Sequence, residues 1–205
     1  MLRSASTRLF LTTGIVFATL SSASLADAAP VHIRGSIATV DGSDVTVTAN
    51  DGKAVKLTLG PDWKIGGVAP ASMADIKPGV FIGTANQEGA DGNTALEVVV
   101  FPEAMRGTGE GNYGWDLKPK SSMTNATVDN AVTGVDGRTV TLKYKGGEKT
   151  VKIGSGTPIV TIVPATKDDL KPGAKVFVAG EASDDGTMLT KGRIAVGKNG
   201  LTPPM

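Results

Sequence analysis

The chain has 205 residues with 21 basic and 20 acidic side chains and one histidine, so its net charge of +1 sets up no field that would draw in nucleic acid or acidic substrates. It contains no cysteine, which excludes disulfides, thiol catalysis and cysteine-built metal centres. Stability must come from apolar cores alone.

At the N-terminus, Arg3 and Arg8 precede an apolar run at 9–20, and small residues at 21–24 lead into Ala26-Asp27-Ala28. These are the three regions of a secretory signal peptide over 1–28, with cleavage expected after Ala28. A membrane-spanning helix needs about 20 apolar residues, more than this run supplies, so no stable membrane span is expected after cleavage. Removal of Arg3, Arg8 and Asp27 leaves the two charge signs in balance. The expected location is periplasmic or secreted.

Ile33, Ile37 and Val40 mark a first strand ending at Asp41-Gly42, and Gly35 within it predicts a bulge or bend. Val45, Val47 and Ala49 alternate with Thr46 and Thr48, and after Asn50-Asp51-Gly52 the alternation resumes with Val55, Leu57 and Leu59, which is a hairpin pattern. Residues 70–76 predict one or two helical turns, stopped by Lys77-Pro78-Gly79. Residues 80–86 and 94–101 read as the fourth and fifth strands around a polar loop at 87–93. This is the element order of an OB-type barrel.

The pattern then returns. Val40-Asp41-Gly42 recurs as Val135-Asp136-Gly137, and Asp75-Ile76-Lys77-Pro78-Gly79 as Asp169-Leu170-Lys171-Pro172-Gly173. Val140 and Leu142 answer Val45 and Val47, Val151 and Ile153 answer Val55 and Leu57, 159–164 answers 65–70, and Ile194 and Val196 answer Val98 and Val100. The expectation is an all-β chain of two tandem small OB-like five-stranded barrels, 31–102 and 127–198. Each is expected to carry one short helical turn between strands three and four and to close its own core. Between them lies a glycine and aromatic linker, 103–126, with Gly107, Gly109, Gly111, Gly114, Tyr113 and Trp115. The tail at 199–205 carries no pattern and is read as frayed or as a docking arm.

The Val-Asp-Gly turn, the Val-Thr-Val of the second strand, the Asp-Ile-Lys-Pro-Gly corner and the linker words from Phe101-Pro102-Glu103 to Gly109-Glu110-Gly111 resemble exported bacterial proteins with tandem OB-like domains of unknown function. The resemblance implies that fold and an envelope location in a Gram-negative bacterium. It brings no activity and no site residue.

Chemistry is sparse. Asp41, Asp44, Asp51, Asp91, Asp129, Asp136, Asp184 and Asp185 are numerous, but most stand beside glycine in turn words and none builds a calcium loop, so no metal or cofactor is assigned. His32, the only imidazole, is expected at the exposed start of the first strand, where neither a zinc site nor a hydrolytic triad assembles easily. No catalytic residue is assigned. One alternative is a hydrolase of envelope polymers using linker carboxylates such as Glu103 and Glu110, with Glu97 nearby on strand five; this needs two carboxyls at a set separation. Another is a metal-binding envelope protein using the Asp-rich turns.

Binding fits better. With Val140, Leu142, Val151 and Ile153 pointing inward, Lys143, Lys145, Lys149 and Lys152 crowd the outer face and turn of the second hairpin, a face on which OB barrels bind ligands. Tyr113 and Trp115 either dock between the barrels or form a recognition surface. Nucleic acid fits poorly, since stacking needs aromatics and Tyr144 points inward. The expected function is a non-enzymatic periplasmic binding or structural module for an envelope polysaccharide or envelope protein.

Overall fold

In the computed structural model, which describes residues 31–134, 137–182 and 189–205, the alternating runs are strands. They are β1 (Val31–Asp41), β2 (Asp44–Ala49), β3 (Ala54–Thr58), β4 (Lys64–Pro70), β5 (Phe81–Gly89), β6 (Gly92–Ala95), β7 (Val98–Val100), β8 (Gly111–Trp115), β9 (Ser121–Gly134), β10 (Gly137–Tyr144), β11 (Gly147–Gly154), β12 (Ile159–Pro164), β13 (Lys175–Ala182) and β14 (Leu189–Gly197). The chain is thus all-β. The signal-peptide segment, Val135-Asp136 and the pair Asp184-Asp185 lie outside the described residues.

The local predictions meet several differences. The linker expected at 103–126 carries β8 and the start of β9, and the polar loop expected at 87–93 is mostly strand. An extra strand, β4 in one copy and β12 in the other, stands between the third strand of the repeat and its turn. The turns are single 3-10 turns, Met73–Asp75 and Lys167–Asp169. Both are entered by the same device, in which the Ser72 and Thr166 N–H groups each donate to the carboxylate three residues on, Asp75 or Asp169, at 2.8 Å. The fifth strand of the first copy is broken into β6 and β7 around Leu96-Glu97. Gly35 is needed for close approach: a Cβ there would collide with the Thr48 carbonyl oxygen on β2.

Hydrogen bonding joins the strands into two closed circuits. In the first ring β1 pairs with β2, β2 with β3, β3 with β14, β14 with β13 and β13 with β1. In the second ring β9 pairs with β10, β10 with β11, β11 with β6, β6 with β5 and β5 with β9. Each ring therefore takes three strands from one copy of the repeat and two from the other, so the pairings cross the division at 31–102 and 127–198 that the repeat suggests. The cores follow the rings. Val45, Val47 and Leu57 pack with Val178, Ile194 and Val196 in the first, and Val140, Leu142, Val151 and Ile153 pack with Ile76, Ile82 and Val98 in the second.

The recurring Lys-Pro-Gly corner fastens this exchange. Gly79 and Gly173 both hold φ in the left-handed region, at 88° and 86°, which favours glycine. The Gly79 N–H donates to the Val128 carbonyl of the other copy, and the Gly173 N–H to the Ile37 carbonyl, each at 2.8 Å. The two copies cross where β4 and β12 pair antiparallel, with Val68 opposite Ile162. A third apolar cluster, containing Val68, Val99, Val160, Phe177 and Met205, fills the seam between the rings. Met205 is buried, so the tail is a docking arm. No helix among the described residues is long and apolar enough to cross a membrane.

Candidate functional site

The two rings end differently. On β5 and β9 the inward row that begins with Ile82 opposite Ala126 continues with Thr84 opposite Thr124 and Asn86 opposite Ser122. These polar groups would be costly if unpaired. The Thr84 hydroxyl donates to the Glu97 main-chain carbonyl at 2.7 Å, and the others are paired in a loop: Lys149 Nζ donates to Ser122 Oγ at 2.8 Å, Ser122 Oγ to Asn86 Oδ1 at 3.2 Å, Asn86 Nδ2 to Thr124 Oγ1 at 3.0 Å, and Thr124 Oγ1 to Asn112 Oδ1 at 2.8 Å. Lys149 closes it by donating to the same Asn112 oxygen at 3.1 Å. Thr84, Asn86 and Thr124 are fully buried. Partial desolvation pulls the Lys149 ammonium below its ordinary pKa, an effect that Glu88 opposes. In the first ring the corresponding row is Val31 opposite Gly180, and among the described residues it carries no such network.

Asn112 comes from β8, and so do the two linker aromatics. β8 pairs antiparallel with β9, placing Trp115 opposite Ser121 and Tyr113 opposite Met123. Trp115 packs on His32 with ring centroids 4.5 Å apart and lies 6.1 Å from Phe177, and Arg34 sits over the Phe177 ring. Asp116 accepts two bonds from the Arg34 guanidinium, at 2.7 and 3.2 Å, and lies 3.1 Å from His32 Nδ1. The Arg34 pair, with His32 adding to it, holds the Asp116 carboxyl down at a pKa of about 2. The linker is a docked strap across the seam. Tyr113 is half-exposed, at 42%, and its hydroxyl accepts from Asn125 Nδ2 at 3.1 Å. His32, expected at an exposed strand start, is instead enclosed between Trp115 and Phe177, because β13 and the strap cover that end of β1.

The four lysines singled out on the second hairpin do not form one stripe. Lys143 pairs with Asp129 at 3.0 Å and stands opposite Glu148. Lys149 stands opposite Leu142, on the inward row, and reaches the polar loop at the ring mouth. The Lys145 N–H donates to Glu110 at the turn, and Lys152 is exposed opposite Thr139. The hairpins of the two rings differ in charge all the same. Residues 137–154 hold five basic residues and one acidic, whereas residues 44–58 hold two of each. In the first ring both lysines are neutralised, Lys53 by Asp51 at 3.1 Å and Lys56 by Asp44 at 2.9 Å. Among the described residues no ion pair engages Lys145, Lys149 or Lys152.

The linker carboxylates are differently employed. Glu103 is clamped by Arg106 through two bonds, which lower its pKa and keep it ionised, and it is exposed; Glu110 caps the Lys145 turn. The Glu103 clamp holds its carboxyl ionised, the opposite of what a general acid needs. Glu97 is the opposite case. It is wholly buried, one oxygen accepts from the Ala85 N–H at 3.1 Å, the other has no partner, and desolvation pushes its pKa up to about 8 against the smaller pull of that bond and of Arg34. Among the described residues no group of three or more His, Cys, Asp or Glu side chains is placed to hold a metal.

Sequence reading passed over Thr84 and Asn86 as strand residues and over Ser122 and Thr124 as part of the linker, whereas β9 begins at Ser121. The available signal was Ile82, Thr84 and Asn86 running polar on an inward parity. Comparisons with family models, curated proteins and solved structures find no match to this chain.

Proposed function

We propose that the chain is a non-enzymatic periplasmic binding module of two OB-like barrels, and that the second barrel holds an anionic envelope polymer along its Lys-bearing hairpin. The strand circuit supports the fold reading. Numbered by place in the repeat, strands one, two and three of each ring are followed around the circuit by five and then four, with five lying parallel to three and four pairing back to one, an order that supports an OB-like reading. The signal-like N-terminus supports the location.

The observation that carries the ligand reading is the charge contrast between equivalent hairpins. The first is balanced and internally paired, while the second keeps Lys145, Lys149 and Lys152 outside ion pairs, next to a polar mouth whose donors and acceptors are fixed in position. A polymer bearing carboxylate or sulfate groups gains from such a cluster. The test is chromatography of the mature chain on an immobilised sulfated polysaccharide under a salt gradient. Retention is expected to fall to the void when Lys143, Lys145, Lys149 and Lys152 are all changed to Gln, and to stay unchanged for Lys53→Gln with Lys56→Gln. Equal retention of both variants, or no retention of the parent chain, would sink the reading.

A further inference from the structure

The crossing of the two copies has the symmetry of a meeting between two identical molecules. In the β4 and β12 ladder, Gly66 faces Pro164 and Val160 faces Pro70, and Gly66 and Pro70 are the repeat equivalents of Val160 and Pro164. Val68 faces its own equivalent, Ile162, at the centre. The flanking parallel pairs obey the same rule: Ile65 lies beside Ile194, and Ile159 beside Val98. A pairing in which residue i meets j while the equivalent of j meets the equivalent of i is isologous, the relation that joins the subunits of a twofold dimer. Here one connection, the strap at 101–120, ties the two sides into a single chain.

We infer that a second copy of this chain can supply the complementary half, giving an exchanged dimer in which each ring is built between two molecules. Every strand pairing of the two rings is satisfied equally whether the halves belong to one chain or to two. What separates the outcomes is the tether, which confers an effective concentration on the order of a millimolar on the intrachain partner. The seat of Trp115 against His32 and the clasp of Asp116 on Arg34 hold that tether down and favour the single-chain form. Refolding at dilution therefore yields monomer, and refolding near the effective concentration traps exchanged dimer.

The absence of native cysteine makes the test direct. Residues directly opposite in an antiparallel ladder have Cα atoms about 4.5–5.5 Å apart, within the span of a disulfide, and Ala69 faces Thr161 across the crossing. An Ala69→Cys, Thr161→Cys chain is unfolded under reduction, refolded at about a micromolar and at about a millimolar, oxidised, and examined by light scattering and non-reducing gel. Bridges within one chain at the lower concentration, and a dimer fraction at least about tenfold larger at the higher one, joined by bridges between chains, are expected from mass action. Monomer at both concentrations, or a dimer whose bridges stay within each chain, overturns the inference. The parent chain, refolded in parallel and followed by light scattering alone, serves if the cysteines impair folding, and monomer at both concentrations overturns the inference there too.

Discussion

The two rings are built from the same repeat and share a core pattern, yet one has Val31 opposite Gly180 where the other is finished with a closed loop of hydroxyls, amides and an ammonium. The difference separates what the fold requires from what it tolerates. Val45, Val47 and Leu57 in one ring and Val140, Leu142 and Val151 in the other are all fully buried, and these positions suffice for a five-stranded circuit. The Asn86 to Lys149 network adds polar groups that burial penalises unless every member is paired. A first ring that closes without such a network shows that the polar mouth is not a condition of closure.

The hardest break in the comparison comes from the cores. Leu57→Ala in the first ring and Leu142→Ala in the second should each cost about 2–5 kcal/mol, since both side chains are fully buried. Because each ring contains strands of both copies, both variants should unfold in one coincident transition by circular dichroism and by tryptophan fluorescence. Two separated transitions would show that the rings are independent. Folding should respond to pH through Glu97. Its pKa is raised from 4.5 to about 8 in the folded state, so its contribution is favourable to folding at low pH and is lost as pH rises from about 4.5 towards 8. Glu97→Gln, which stays neutral, should flatten that decline and melt above the parent at pH 7, by on the order of 3 kcal/mol. An unchanged slope of stability with pH would refute the assignment. The smallest effect belongs to the strap. Asp116→Asn should cost about 1 kcal/mol or less after screening, and limited proteolysis should cut within 103–120 faster than in the parent. Because the Asp116 pKa is depressed from 3.8 to about 2, this contribution is present above pH 4 and disappears as pH falls towards 2. Cutting rates indistinguishable at neutral pH would mean that the Arg34 clasp does not hold the linker.

The alternation of apolar residues made the strands and their inward faces legible, down to Val140, Leu142, Val151 and Ile153. Which ring a strand joins was not legible. The repeat makes the fourth and fifth strands of the two copies near equivalents, so period-2 patterning says which face is buried and not whose neighbours bury it. The deciding segment is 64–70, where Gly66 and Gly67 weaken the strand signal, yet β4 carries the chain across to the other ring. Trp115 was legible as an aromatic in need of cover, and β13 with Phe177 supplies that cover from far along the sequence. The lysines were legible as charges, but Lys149 was placed by parity with Val151 and Ile153, which turns it into the mouth.

The exchange also sets a schedule for folding. β1 pairs at once with β2, but its other edge is covered by β13, where Val31 meets Gly180 about 150 residues away. Until β13 is made the β1–β3 meander stands with two unpaired edges and an uncovered apolar face, the condition in which strands seek wrong partners. The second ring has all five of its strands by the end of β11. By contact order alone, the second ring, which has all its strands at β11, is expected to close before the first, which also needs β13 and β14.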